Sequence, residues 1–275
     1  MAIITIYQGA SGSGEELAEA VAQALGYGCV SREVLVRTSL RYGIPEAKLN
    51  EIVEQGPSWW ERFARTLQPY RLAMQAAFCE ILETEGHPGL VYHGHIGHEL
   101  LPSFNHVLKV LLTAPMAMRI EQVRERQHLS EAAARRYVEE VDKARSRRLM
   151  ALFGADWRDA SRYDLVVNLG RMSKYAAKHL IAEAVHLPDY QMSPASKQAF
   201  EDFALGTRVH AALVMSKDLS QSSFEIEARD GTVAVTGTIP NWLSEDTVVA
   251  KVKEIPGVKK VKAEITNAPD LIIGD

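Results

Sequence analysis

AIITIYQGASGSGEELAEAVAQALG, residues 2–26, opens the chain with three segments of different character. Ile3 to Tyr7 is a short β-branched run of the kind that forms a buried parallel strand. The glycine- and serine-rich run Gly9–Gly14 follows. Glu15 to Leu25 then carries Ala18, Val21, Ala22 and Leu25 on one helical face before Gly26 stops it. Strand, glycine loop and helix in that order open a doubly wound α/β domain. Gly9-x4-Gly14 has the spacing of a phosphate loop, in which glycines let backbone N–H groups converge on phosphate at a helix N-terminus. The complete motif continues with Lys for the β- and γ-phosphates and Ser or Thr for Mg2+. Glu15 and Glu16 stand at those places. A carboxylate a few ångströms from a phosphate chain repels it by roughly 4 kcal/mol at an effective dielectric near 20. Glutamates in a first turn also complement the helix dipole, so their presence has a purely structural explanation as well.

Working outward, helical stretches are expected from Arg32 through Glu85 with a break at Gly56-Pro57. Strands are expected at Leu90–His93, His106–Thr113 and Asp164–Asn168, and helices at Met116–Gln127, Ser130–Phe153 and Ser173–Val185. Strands alternating with helices favour a parallel sheet. The pattern changes near Pro188 to helix, strand, strand, helix, strand. Phe224–Ala228 and Thr232–Thr238 flank Arg229-Asp230-Gly231, a hairpin signal. The resulting expectation is a P-loop α/β domain over residues 1–188, a linker over 189–203, and a small C-terminal α+β domain over 204–268.

A chain of 275 residues with 47% hydrophobic and 24% charged residues is ordinary for one or two globular domains. A formal net charge of −4 supplies no general attraction for nucleic acid. Two cysteines, Cys29 and Cys79, lack metal-ligand spacing and suit a reduced, cytoplasmic protein. The apolar start is too short for a secretory core, and no apolar run is long enough to span a bilayer.

Arginine is concentrated in one region: Arg119, Arg124, Arg126, Arg135, Arg136, then Asp142-Lys143-Ala144-Arg145 and Arg147-Arg148. Guanidinium groups converging on one point suit phosphoryl transfer, because they neutralise charge on the transferred group. A solvated helical face with pairs to Glu121, Glu125, Glu139 and Glu140 explains the same residues. His93, His95 and His98 follow a strand, but their spacing matches no zinc pattern, and no metal site is expected. The glycines around them instead place His95 at a strand's carboxyl end, where α/β sheets bind ligands. Trp59, Trp60, Phe63 and Tyr70 could stack on a base or pack in a core. Lys259, Lys260 and Lys262 read as a solvated strand end.

Over residues 1–188 the chain resembles the cytidylate-kinase-like branch of P-loop nucleoside monophosphate kinases. The resemblance rests on GEELAEAVAQALGY (14–27), SREVL (31–35) and the arginine-rich run 119–168. Its most specific part is D-K-x-R, F-G-x-D-W and Y-D-L-V-x-N, beginning at Asp142, Phe153 and Tyr163. Gly14 and Glu16 match the branch, whereas Glu15 replaces its basic residue. Ser31 replaces the usual Asp before Arg32, and His95 stands where Arg is common. The resemblance implies ATP and Mg2+ held at Gly9, Ser11, Gly12, Ser13, Gly14 and Glu16. It implies an acceptor site near Arg32, with His95 beside it. Arg119, Arg126, Arg145 and Arg148 would be lid arginines, and Asp142 would orient an arginine or the acceptor. FEIEARDGTVAVTGTIPNWLSEDTVVAKVKEIPGVKKVKAEI (224–265) resembles a BON domain, which implies ligand sensing, oligomer contacts or a protein partner.

Two functions follow. One is an enzyme that moves phosphate from ATP to a nucleoside monophosphate or similar small acceptor. The other is a catalytically degenerate, pseudokinase-like binding or regulatory module in which the loop holds a nucleotide or anion and the C-terminal domain reports it.

Overall fold

The computed structural model describes residues 1–10, 14–52, 64–84, 86–101 and 104–268. Strand β1 (Ala2–Gln8) is buried along its whole length, as a β-branched strand covered on both faces should be. It pairs in parallel with β3 (Gly89–His93) on one side and β4 (Val107–Thr113) on the other. With β2 (Gly28–Val30) and β5 (Leu165–Asn168) they form a parallel sheet in the order β2-β3-β1-β4-β5. The short β2 was not among the expected strands, because so few residues display no period.

Helices cover both faces. On one, α1 (Gly14–Leu25) and α8 (Lys174–Ala184) set Leu17, Val21 and Ile181 against Ile4, Ile6 and Val110. The expected helical stretch after Arg32 consists of α2 (Glu33–Tyr42), α3 (Glu46–Asn50) and α4 (Ala64–Thr84), and Gly43 in the left-handed region (φ +65°) ends α2. The expected break at Gly56-Pro57 lies outside the described residues. After the short α5 (Gly97–Leu100) and β4 come α6 (Met116–Gln127) and α7 (Glu131–Phe153). Phe78 and Ile81 of α4 and Leu149 and Leu152 of α7 pack with Ile3, Tyr7 and Leu111 on the second face. A parallel α/β sheet with flanking helices is therefore the architecture, as expected.

The C-terminal region consists of α9 (Pro194–Val214), β6 (Ser223–Arg229), β7 (Thr232–Ile239), α10 (Glu245–Lys253) and β8 (Lys260–Asn267). Central β7 runs antiparallel to β6 and parallel to β8. Asp230 (φ +51°) and Gly231 (φ +82°) make a two-residue turn between paired Arg229 and Thr232, the type I′ geometry that Asp-Gly favours. Residues 194–203, placed above in a linker, are the first half of α9. That helix serves two cores: Phe200 and Ala204 face the parallel-sheet domain, while Leu205, Val209 and Leu213 join Phe224, Val233 and Val248. Arg208 ties the regions together by pairing with Glu83 of α4 and donating to the Pro256 carbonyl at 3.0 Å. Among the described residues no helix is long and apolar enough to cross a membrane.

Candidate active site

The carboxyl ends of β1, β3 and β4 point the same way and bring Gln8, His93 and Thr113 to one edge. The chain leaves β1 through Gln8-Gly9-Ala10, which helix side chains hold by its backbone. Ala10 N–H donates to Asp142 Oδ1 at 3.0 Å, and the Ala10 carbonyl accepts from Arg119 Nε at 3.0 Å. Arg119 Nη2 also reaches both Asp142 oxygens at 2.7 Å. Arg119 and Asp142 are both buried, so each charge depends on the other, and neither could lose its partner cheaply. Asp142 thus orients an arginine, and that arginine holds the backbone just after β1 instead of lying open in a lid.

Arg145, one turn along α7, donates through Nη1 to the Gln8 carbonyl at 2.8 Å, and its Nη2 lies 2.8 Å from His95 Nε2. Burial, then the charges of Arg145 and Arg148, push the His95 pKa well below its ordinary value. The imidazole is therefore neutral, accepts at Nε2 and carries its proton on Nδ1. Arg148 is 1% exposed. It lies beneath the site, where its charge acts on Tyr7 and His95; full burial takes it out of a solvent-facing lid. Burial pushes the Tyr7 phenol up, and its ring packs against His98, Trp157 and His95 at centroid separations of 5.0, 5.3 and 6.1 Å.

The glycines are where close approach demands them. A Cβ at Gly9 would lie 3.0 Å from Arg119 Nη2 and 3.2 Å from the Trp157 ring, and one at Gly14 only 2.4 Å from Gln8 Oε1 and 2.7 Å from His93 Nε2. Ser11, Gly12 and Ser13, expected to hold phosphate, lie outside the described residues. Glu15 and Glu16 both face solvent at the start of α1. Glu16 Oε2 accepts from Lys174 Nζ of α8 at 2.5 Å, a bond that holds the carboxyl below its ordinary pKa. Arg126 is exposed and, with Ala10, Tyr137 and Arg145, lines a cavity of about 200 Å3 between α6, α7 and the loop. Arg32 is exposed at the cap of α2, past the carboxyl end of β2.

The arginine-rich stretch therefore divides. Arg119, Arg145 and Arg148 turn inward, whereas Arg124 and Arg135 pair with Glu121 and Glu131 on the helix surface. His98 is stacked on Tyr163, with Nε2 3.2 Å from its hydroxyl, and among the described residues no three His, Cys, Asp or Glu side chains gather as a metal site. Trp59, Trp60 and Phe63 lie outside the described residues, and Tyr70 packs against the core. Lys259, Lys260 and Lys262 are exposed. Sequence reading gave no site role to Gln8; its carbonyl meets Arg145 far along the chain, for which no local signal exists.

Residues 3–171 match the cytidylate kinase-like family, and residues 201–269 match the BON domain. Over 78 residues, 28% of this chain, identity is 33% to the cytidylate kinase of Methanopyrus kandleri and 32% to that of Halobacterium salinarum. The chain spans only 40% and 41% of the length of those relatives. An uncharacterized protein from Eubacterium ventriosum shares the fold at a TM-score of 0.50 and 18% identity, over 67% of this chain and 97% of that one.

Proposed function

The chain belongs to the cytidylate kinase-like family over residues 3–171, and from that premise we propose that it transfers phosphate from ATP to a small acceptor, a nucleoside monophosphate such as CMP being the first candidate. The observation that carries this reading is the clamp of Asp142 and Arg119 on Ala10, with Arg145 on the Gln8 carbonyl. Side chains from two helices are used to shape a backbone loop, and such preorganisation is what stabilisation of a phosphoryl group requires. Gly9 and Gly14, where a side chain would collide with the site walls, suit a loop that wraps phosphates closely. Mg2+ takes few protein ligands and leans on the phosphates themselves. The metal would supply charge neutralisation between donor phosphates. In this reading Arg126, which lines the cavity beside Ala10 and Arg145, would meet the transferred group, and Arg32 and His95 would bind the acceptor.

Within this proposal residues 1–188 carry the chemistry in a cytoplasmic setting, and residues 204–268 serve sensing or partner contacts. Glu15 favours a second reading, a binding module without turnover, because it removes the loop's own cation. Calorimetric titration with Mg-ATP, CMP and other monophosphates, followed by a coupled ADP-release assay, separates the two. Micromolar binding of both ligands with turnover supports the kinase. Binding without turnover supports the module, and no binding of any nucleotide refutes both.

A further inference from the structure

Strand β6 is an edge of the C-terminal sheet, whose order is β6-β7-β8. The two-residue turn after Arg229 makes Arg229 and Thr232 a hydrogen-bonded pair, and the bonding alternates backward along β6 from there. Glu225, Glu227 and Arg229 therefore bond to β7, whereas the N–H and C=O groups of Phe224, Ile226 and Ala228 point away from it. Helix α9 closes both ends of that outward row. The His210 ring hydrogen-bonds to the Phe224 backbone, and Asp202 Oδ1 accepts from Asp230 N–H at 2.8 Å. Between these two caps, no hydrogen bond among the described residues takes up the outward groups of Ile226 and Ala228.

Beside them runs a cavity of about 880 Å3, walled by Leu72 and Gln75 of α4 and Phe203 of α9, with Ile226, Glu227 and Ala228 along its other side. Exposed edges are commonly blunted by lysine, proline or a bulge. The middle of β6 has none of these, and it pairs residue for residue with β7. A strand added there would turn alternate side chains to opposite faces. Those level with Ile226 and Ala228 would meet the helical wall, which α9 brings close enough that a Cβ on Gly206 would lie 3.6 Å from the Ala228 Cβ. Apolar residues suit that side. Those level with Glu225 and Glu227 would lie on the outer face, where both carboxylates are exposed. Of the charged residues lining the cavity, Asp202, Glu227 and Asp230 are acidic; Arg229 opposes them from β6, and Lys262 lies two strands away.

We propose that the open middle of β6 is a docking edge for an extended segment of a partner protein in which apolar residues alternate with lysine or arginine, added as a further strand between β6 and the wall of α4 and α9. The backbone groups of Ile226 and Ala228 supply the main-chain bonds, the helical wall receives the apolar side chains, and Glu225 and Glu227 select the basic ones. The assignment rests on the partner contacts proposed for residues 204–268, to which it gives a place and a chemistry, and is independent of nucleotide binding.

The test is fluorescence anisotropy of the full chain with a labelled seven-residue peptide of alternating lysine and valine. A glutamate–valine peptide and a backbone N-methylated form of the basic peptide serve as comparisons, and amide NMR shifts locate the binding. The basic peptide should bind with a Kd of about 100 μM or tighter, with the largest shifts at Ile226 and Ala228. Ala228→Pro removes an outward N–H while leaving the ladder to β7 intact. It and Glu227→Lys should each weaken binding by about tenfold, as should replacing lysine by glutamate in the peptide. The N-methylated peptide, which keeps its charge but has no N–H to donate, should not bind. Should Ala228→Pro fail to fold, the methylated peptide and the shifts on the wild type decide. Equal binding of the methylated peptide, unchanged affinity in folded Ala228→Pro, or no binding of any peptide overturns the docking edge. Equal affinity for the acidic peptide overturns the basic partner. Shifts centred elsewhere in residues 204–268 overturn β6 as the site while sustaining partner contacts there, and none of these outcomes bears on the kinase reading.

Discussion

Replacing Asp142 by Ala should unlock the loop and destabilise the parallel-sheet domain together. The carboxylate accepts from Ala10 N–H and twice from Arg119, and the two side chains are only 8% and 11% exposed. Without it a buried guanidinium and a backbone donor lose their partner. Breaking such a pair costs about 3–5 kcal/mol. For a domain approaching 200 residues each kcal/mol lowers the melting temperature by roughly 2–4 °C, so a drop of about 6–20 °C is expected. Asp142→Asn keeps an acceptor for Ala10 but leaves the arginine charge unbalanced, and should fall between. The double variant Arg119→Ala/Asp142→Ala should be less damaged than the sum of the two single variants, since the first removal already spends the pair. Chemical denaturation of the wild type and the four variants measures this directly, with nucleotide affinity followed in parallel. A loss below about 1 kcal/mol for Asp142→Ala, or single effects that simply add, would refute the clamp.

Three further outcomes are expected. Arg145→Ala should lower turnover by about 10²–10³-fold while the far-ultraviolet spectrum is preserved; unchanged turnover removes it from the mechanism. His98 is buried, and burial, with Lys109 and Arg162 nearby, lowers its pKa to about 3. Its unfolded form binds more protons below pH 6.5, so its contribution is complete above that value and is lost as pH falls, by about 1.4 kcal/mol per pH unit. His98→Asn should flatten the stability profile between pH 6.5 and 5, and an identical slope in both proteins counts against the assignment. Gly231→Ala places a Cβ 2.7 Å from the Lys259 side chain at φ +82°. It should destabilise the C-terminal domain by about 1–2 kcal/mol, seen as faster amide exchange in β6 and β7.

Much of this protein is legible locally because the deciding physics is local. A β-branched run, a glycine loop and an amphipathic helix specify the opening of an α/β sheet through backbone preference and face periodicity, and Asp230-Gly231 specifies its turn through the left-handed conformations it tolerates. Helices α6, α7 and α8 were readable for the same reason, to within a residue or so of their ends. Where the chain's charges go was not readable. In sequence Arg119, Arg124, Arg145 and Arg148 look alike; only the packing of α6 and α7 against β1 turns three of them inward and leaves Arg124 in water.

The same holds for α9, whose opposite faces enter two cores, so that no composition break marks where one unit yields to the next. The residues that hold the backbone after β1 are joined over 132 positions between Ala10 and Asp142 and 137 between Gln8 and Arg145. The residues alone were enough to mark most of the strands and helices, though not the short β2 or the first half of α9. Tertiary structure alone decided which charges are buried and paired, because burial and pairing belong to contacts made only after the sheet has assembled.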